Sequence, residues 1–172
     1  FAVVIGIWGA SFPFLPRHMS LISETTIGLP AFALSFRSAA RPYRPGYLQR
    51  VMRFALPAGT ATATIVLVGY GFVRSPLFDT TLDEARTAST IMLLAIAWWV
   101  LFVLVYPVDR VDAAVLAGVL TLATCVVATP PGRRFYAIDW PGPLVSALLG
   151  AYIVTVLVML SVTVGVWRRV RS

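Results

Sequence analysis

Between Arg53 and Arg74, Arg86 and Asp109, Asp112 and Arg133, and Asp139 and Arg168 the chain has no Asp, Glu, Lys, Arg or His. Each interval leaves room for about 20 apolar residues, the length an α-helix needs to cross a hydrocarbon layer of roughly 30 Å. In that layer no water pairs with the backbone, so every N–H and C=O must be satisfied within the protein. A continuous apolar run can meet this only as a helix, whereas a barrel strand would alternate apolar and polar residues over about 10 positions. The spacing of the charges therefore predicts an all-α, polytopic transmembrane bundle.

About six helices are expected, with spans near residues 1–15, 19–36, 54–73, 87–106, 113–129 and 144–167 and a basic loop at 37–53. The second span is interrupted only by Glu24, and the first opens on Phe1 without an initiator Met or basic leader. It is read as the end of a longer helix, which makes the chain a C-terminal piece of a larger protein; a cleaved signal peptide is the other reading. The composition agrees: 59% of residues are hydrophobic, 12% are charged, and the mean hydropathy is +0.85.

All 14 basic residues are arginine. Arg37, Arg41, Arg44, Arg50 and Arg53 crowd one connection, and Arg168, Arg169 and Arg171 crowd the tail. The positive-inside bias places both in the cytoplasm. Four spans separate them, an even number, so the two assignments agree. This predicts a multi-pass plasma-membrane protein with a cytoplasmic C-terminus, its net charge of +7 facing anionic lipid instead of nucleic acid. Tyr106, Tyr136, Trp140 and Trp167 fall near predicted span ends, where aromatics sit at the membrane interface. Small residues at Ser146, Gly150 and Ala151, and along 58–63, suit close helix packing.

Several chemistries are excluded. Without Lys there is no phosphate-cradling Walker loop and no Schiff-base amine. One His and one Cys make no His/Cys metal cluster and no intrachain disulfide. His18, beside Arg17, reads as a solvated flanking residue, and mid-span Cys125 as a small buried hydrophobe. The segment with Asp79, Asp83 and Glu84 could bind a cation weakly but reads better as a short solvated connection. No catalytic and no cofactor-binding residue is expected in this chain.

The informative stretch is LPRHMSLISETTIGLPAFALSF, residues 15–36. An ionised acid at mid-span costs roughly 2.5 to 3.5 kcal/mol on insertion scales, so such residues usually face a partner or a watery path. Glu24 has hydroxyls beside it at Ser23, Thr25 and Thr26, and an α-helical register puts Ser23 and Thr26 on one face with Glu24 on its flank. Pro30 lacks an N–H and displaces the carbonyl four residues back, which predicts free carbonyls near Thr26 and Ile27. Hydroxyls, carbonyls and one carboxylate are hard oxygen ligands, suited to a hard cation at the membrane midplane. The candidate metal ligands are Glu24, Ser23, Thr26 and Ile27, the last two through their carbonyls. The other reading of the same residues is a kinked helix with a protonated, hydrogen-bonded Glu24 that moves nothing.

This stretch resembles the outer loop and sixth transmembrane helix of P-type cation-transporting ATPases, whose core reads Thr-Asp-Gly-x-Pro-Ala. It is most similar to the actinobacterial calcium-type members; Pro16, Ser23, Thr26, Gly28, Pro30 and Ala31 match the pattern. The resemblance implies that the first span is the tail of helix five and the last four spans are helices seven to ten. It further implies a share in a cation path, with calcium as the candidate ion and ATP and Mg used by the full-length pump. Its partners would then be lipid, the transported cation, and the upstream helices and cytoplasmic domains of the same protein. Ser23 and Ile27 stand where animal calcium pumps have ligand asparagine and aspartate, so two-site calcium chemistry does not carry over. The nucleotide and phosphorylation domains would precede Phe1, which leaves this chain inactive by itself. The alternative function is a non-catalytic membrane scaffold or pump remnant acting through helix contacts.

Overall fold

A computed structural model of the chain describes residues 2–9, 11–35, 46–106 and 108–171. Phe1 and the segment 36–45, with Arg37, Arg41 and Arg44, lie outside the described residues. The described residues are all-helical, with no strand. The elements are α1 (Ala2–Trp8), α2 (Pro16–Ser23), a π-helical turn (Glu24–Gly28), α3 (Leu29–Ser35), α4 (Tyr47–Val73), α5 (Leu82–Val105), α6 (Arg110–Ala128), α7 (Pro130–Tyr136) and α8 (Pro143–Arg171).

Among the described residues four helices are long and apolar enough to cross a membrane, at Val51–Val73, Leu82–Val105, Arg110–Ala128 and Pro143–Val162, with mean hydropathies of 1.6 to 2.4. Their outward faces carry Leu56, Val68, Phe102, Leu120, Val154 and Val158, all exposed. A soluble bundle would present polar residues there; in lipid an apolar outer face costs nothing.

The core lies where α4, α5 and α8 meet. Val66 and Tyr70 from α4, Ala85, Ala88, Met92 and Ile96 from α5, and Val145 and Leu149 from α8 form one buried cluster, which Ile5 of α1 and Phe14 join. The packing face of α8 is therefore Val145, Leu149 and half-buried Tyr152, whose hydroxyl donates to the Ile65 carbonyl at 2.9 Å. Gly150 and Ala151, expected at a close contact, are exposed, because that register of the helix points away from α4 and α5.

α1 is shorter than the apolar run that contains it. Gly9, at φ +62°, turns the chain out of the helix in a left-handed conformation that costs glycine little. An extended segment then leads to Pro16, which opens α2 from its first turn, where the missing N–H would have no helical partner. α2, the π turn and α3 form one rod from residue 16 to residue 35, its junctions at Ser23 and Leu29 both right-handed helical. The rod packs on α5 and α6.

Candidate functional site

The π turn is where the sequence concentrates its polar groups. The Leu29 N–H bonds to the Glu24 carbonyl, five residues back, in place of the α-helical partner Thr25. A π-helical ladder would next offer the Thr25 carbonyl the N–H of residue 30, but that residue is proline. The Thr25 carbonyl is thus denied both ladder donors, and the Thr26 carbonyl loses its α-helical one. The sequence had pointed to Thr26 and Ile27. The widened turn moves the gap one residue toward the N-terminus, and this could be read only by counting from Pro30 in the π register as well as the α.

The side chains divide between two faces. Thr25 and Thr26 are buried, and their hydroxyls donate back to the Leu21 and Ile22 carbonyls at 2.6 Å each. Ser23, Glu24 and Ile27 are exposed, Ile27 at 65%. The structure therefore brings Ser23 and Glu24 together on the outer side of the rod and turns the Thr26 side chain away from them. The face shared by Ser23 and Thr26 in an ideal α-helix is not kept, because the rod buries Leu21, Ile22, Thr25 and Thr26 against its neighbours. Among the described residues the Glu24 carboxylate has no hydrogen-bond or ion-pair partner, although its backbone is bonded within the rod, and no three of His, Cys, Asp and Glu gather as metal ligands.

Beside the turn lies a groove of about 830 Å³ between the rod, α4 and α5. Thr26 and Ile27 form one wall, Ala55, Ala58, Gly59 and Ala63 of α4 a second, and Leu93, Ala97 and Leu101 of α5 a third. The small residues of α4 thus line an open space and not a helix contact. α5 brings no carboxylate to it; its Asp83 and Glu84 sit in the first turn of the helix, at the far end.

Two other sequence expectations are corrected. His18 is fully buried instead of solvated, because the chain around Ala137 folds over it. Cys125 is exposed instead of buried, since α6 packs with Leu116, Val119 and Ala123 and leaves residue 125 on the outer face. The 79–84 segment is a helix entry: the Glu84 carboxylate accepts from the Thr81 N–H at 2.7 Å, and Asp83 pairs with Arg86 at 3.1 Å.

By sequence the chain is 31% identical over 153 residues to the calcium-transporting ATPase CtpE of Mycolicibacterium smegmatis, a match that takes in 80% of this chain and 19% of that protein. It is 30% identical over 130 residues to the CtpE proteins of Mycobacterium bovis and Mycobacterium tuberculosis, with 74% of this chain and 16% of each relative covered. The chain thus spans less than a fifth of the length of these curated relatives. No protein-family profile and no solved structure matches it.

Proposed function

The chain belongs to the P-type cation-transporting ATPases, and from that premise we propose that it forms the membrane-embedded part of such a pump that lends the rod 16–35 to the ion path. The relatives are calcium-transporting ATPases, which makes calcium the first cation to test. The observation that carries the reading is the π turn at Glu24–Gly28, where the Leu29 N–H goes to the Glu24 carbonyl and Pro30 has none to give, so that the Thr25 carbonyl lacks a ladder donor next to the exposed Glu24 carboxylate. Free carbonyls, a hydroxyl and a carboxylate are the ligands a hard cation takes. Irregular backbone at membrane depth is tolerated where it lines a cavity, and this turn lines the groove.

In this reading Glu24 supplies the charge, Ser23 a hydroxyl, and Thr26 and Ile27 their carbonyls, to which the geometry adds the Thr25 carbonyl. Calcium takes six to eight oxygens, so these few groups form an incomplete shell. Helices from elsewhere in the longer protein supply the rest, and the groove walled by Ala58, Gly59 and Ala63 gives a helix room to approach. ATP and Mg act in the cytoplasmic domains of that protein, which lies in the plasma membrane with this chain's C-terminus inside.

The test is ion-dependent phosphorylation of the full-length protein. Glu24→Gln should reduce its apparent calcium affinity by roughly tenfold or more, in line with losing one charged ligand worth about 1.4 kcal/mol or above. Asp79→Asn, outside the groove, should leave it unchanged. Equal behaviour of the two variants would return Glu24 to a protonated structural residue.

A further inference from the structure

At the end of the bundle where α2 begins, segments far apart in sequence are tied together. The Tyr70 hydroxyl donates to the Ser11 carbonyl at 2.8 Å, and Arg86 Nε to the Phe12 carbonyl at 3.2 Å. Arg17 donates to the Phe135 carbonyl at 3.3 Å, and the Asp139 N–H to Thr87 Oγ1 at 2.9 Å. His18 stands in the middle of these ties. It is 0% exposed, its Nδ1 lies 3.3 Å from the Leu15 N–H, and its Nε2 lies 3.3 Å from the Ala137 carbonyl.

The donor and acceptor needs of these two bonds select one tautomer. The Leu15 N–H can only donate, so Nδ1 accepts and carries no proton; the Ala137 carbonyl can only accept, so Nε2 carries one. The ring is a neutral imidazole that satisfies the N-cap N–H of α2 with one nitrogen and holds the 137–142 strap with the other. A second proton on Nδ1 would point at the Leu15 N–H. It would turn that bond into a donor–donor clash and place a buried cation beside the cations Arg17 and Arg86.

We propose that His18 is a proton-operated latch, which when neutral ties the start of the rod 16–35 to the strap 137–142 and when protonated releases both. The carbonyl that His18 holds sits at a turn: Ala137, at φ 50°, closes α7 as a left-handed cap, with its own N–H and that of Ile138 both bonded to the Arg133 carbonyl. Asp139 follows two residues on, anchored by its N–H donating to Thr87 Oγ1, and Ile138 between them is buried. Release would free the outer end of the rod five residues ahead of Ser23.

The charged surroundings agree with a latch that stays closed at neutral pH. Burial holds the His18 pKa below its ordinary 6.5, the bonds to the 136–137 backbone pull it up in part, and the cations Arg17 and Arg86 push it down again. Asp83 on α5 is paired with Arg86. On the strap side the ionisable residues are Arg133, whose guanidinium bonds the Val127 and Ala128 carbonyls, then Arg134, Tyr136 and Asp139. A histidine with a depressed folded pKa binds fewer protons folded than released, so the closed state is favoured above 6.5 and loses ground as pH falls through the folded value. The latch does not depend on whether the rod carries a cation.

His18 is the single histidine of the chain, so one ring resonance in carbon-detected NMR of the detergent-solubilised protein reports its titration. The expected result is a midpoint below 6.5, with nitrogen shifts of the Nε2–H tautomer above it. Hydrogen exchange of the 133–142 backbone, corrected for the intrinsic effect of pH, should rise severalfold across the same midpoint. In His18→Gln, whose amide can accept from Leu15 and donate to Ala137 without titrating, it should not rise. A midpoint at or above 6.5, or strap exchange with the same pH profile in both proteins, overturns the proposal. Should His18→Gln fail to fold, a wild-type exchange midpoint that departs from the NMR midpoint overturns it equally.

Discussion

Two glycines show how differently a single added methyl group is received in this molecule. A Cβ on Gly132 would run into the carbonyl group of Val126, which is backbone and part of the last turns of α6. Gly132→Ala must therefore push α7 off the end of α6, where Arg133 spans the join with bonds to the Val127 and Ala128 carbonyls at 3.1 and 2.6 Å. A Cβ on Gly69 would instead meet the sulfur and methyl of Met92, the far end of a flexible side chain. Overpacking costs about 1–3 kcal/mol. Gly132→Ala is expected toward the upper end of that range and Gly69→Ala at or below the lower. Thermal unfolding in detergent measures both, and a larger loss from Gly69→Ala would mean that the α6–α7 join is looser than drawn. Residue identity also explains why some site features were hidden in the sequence. Glu24 announces itself as a lone acid in an apolar run, and Pro30 announces a break. Nothing local announces that His18 is buried, because the group that covers it comes from residue 137, and hydropathy is blind to that distance.

At the level of the helices, the charge-free intervals located four apolar segments but not their ends. α5 starts at Leu82 and α6 at Arg110, ahead of the purely apolar stretches, because side chains there stand in for the missing helical partners. Thr81 Oγ1 accepts from the Glu84 N–H at 3.2 Å while the Glu84 carboxylate accepts from the Thr81 N–H. Asp109 accepts from the N–H groups of Val111 and Asp112 at 2.9 Å each. These polar turns are helical without being apolar, so a reading based on hydropathy stops short of them. Each cap is worth about 0.5–2 kcal/mol, and Asp109→Ala, which removes two bonds to N–H groups, should cost more than Thr81→Ala. Guanidinium or heat titration of the two variants against the parent gives the order directly. The rod 16–35 shows the complementary limit. Its existence and its break were legible from Pro16, Gly28 and Pro30, while the choice of a π turn over a simple proline kink was not. That choice depends on which faces α5 and α6 bury, and it is what separates Ser23 and Glu24 from the Thr26 hydroxyl.

For the molecule as a whole, the directions of the helices make a further prediction. α4 runs toward the end where Tyr70 meets Ser11, α5 returns from it, α6 runs back to α7 and the 137–142 strap, and α8 starts there and packs antiparallel to α4 through Tyr152 and Ile65. The start of α4 and the end of α8 therefore lie at one end of the bundle, and the 74–81 turn and the strap lie at the other. Arginines cluster toward the first end in sequence, at 37–53 and 168–171, and the positive-inside bias predicts that end to be cytoplasmic. Labelling of single cysteines from outside intact cells tests this, provided Cys125→Ser is used as background, since Cys125 is exposed on α6. Thiols at Gln49→Cys and Arg171→Cys should resist a membrane-impermeant maleimide until the cells are opened, and a thiol at Asp79→Cys should react at once. Protection of Asp79→Cys together with Gln49→Cys would mean that α4 does not cross the bilayer. Opposite results for Gln49→Cys and Arg171→Cys would mean that one of the four apolar helices lies along the membrane. Either outcome would remove the midplane depth proposed for Glu24, because the rod 16–35 packs on α5 and α6 and shares their depth.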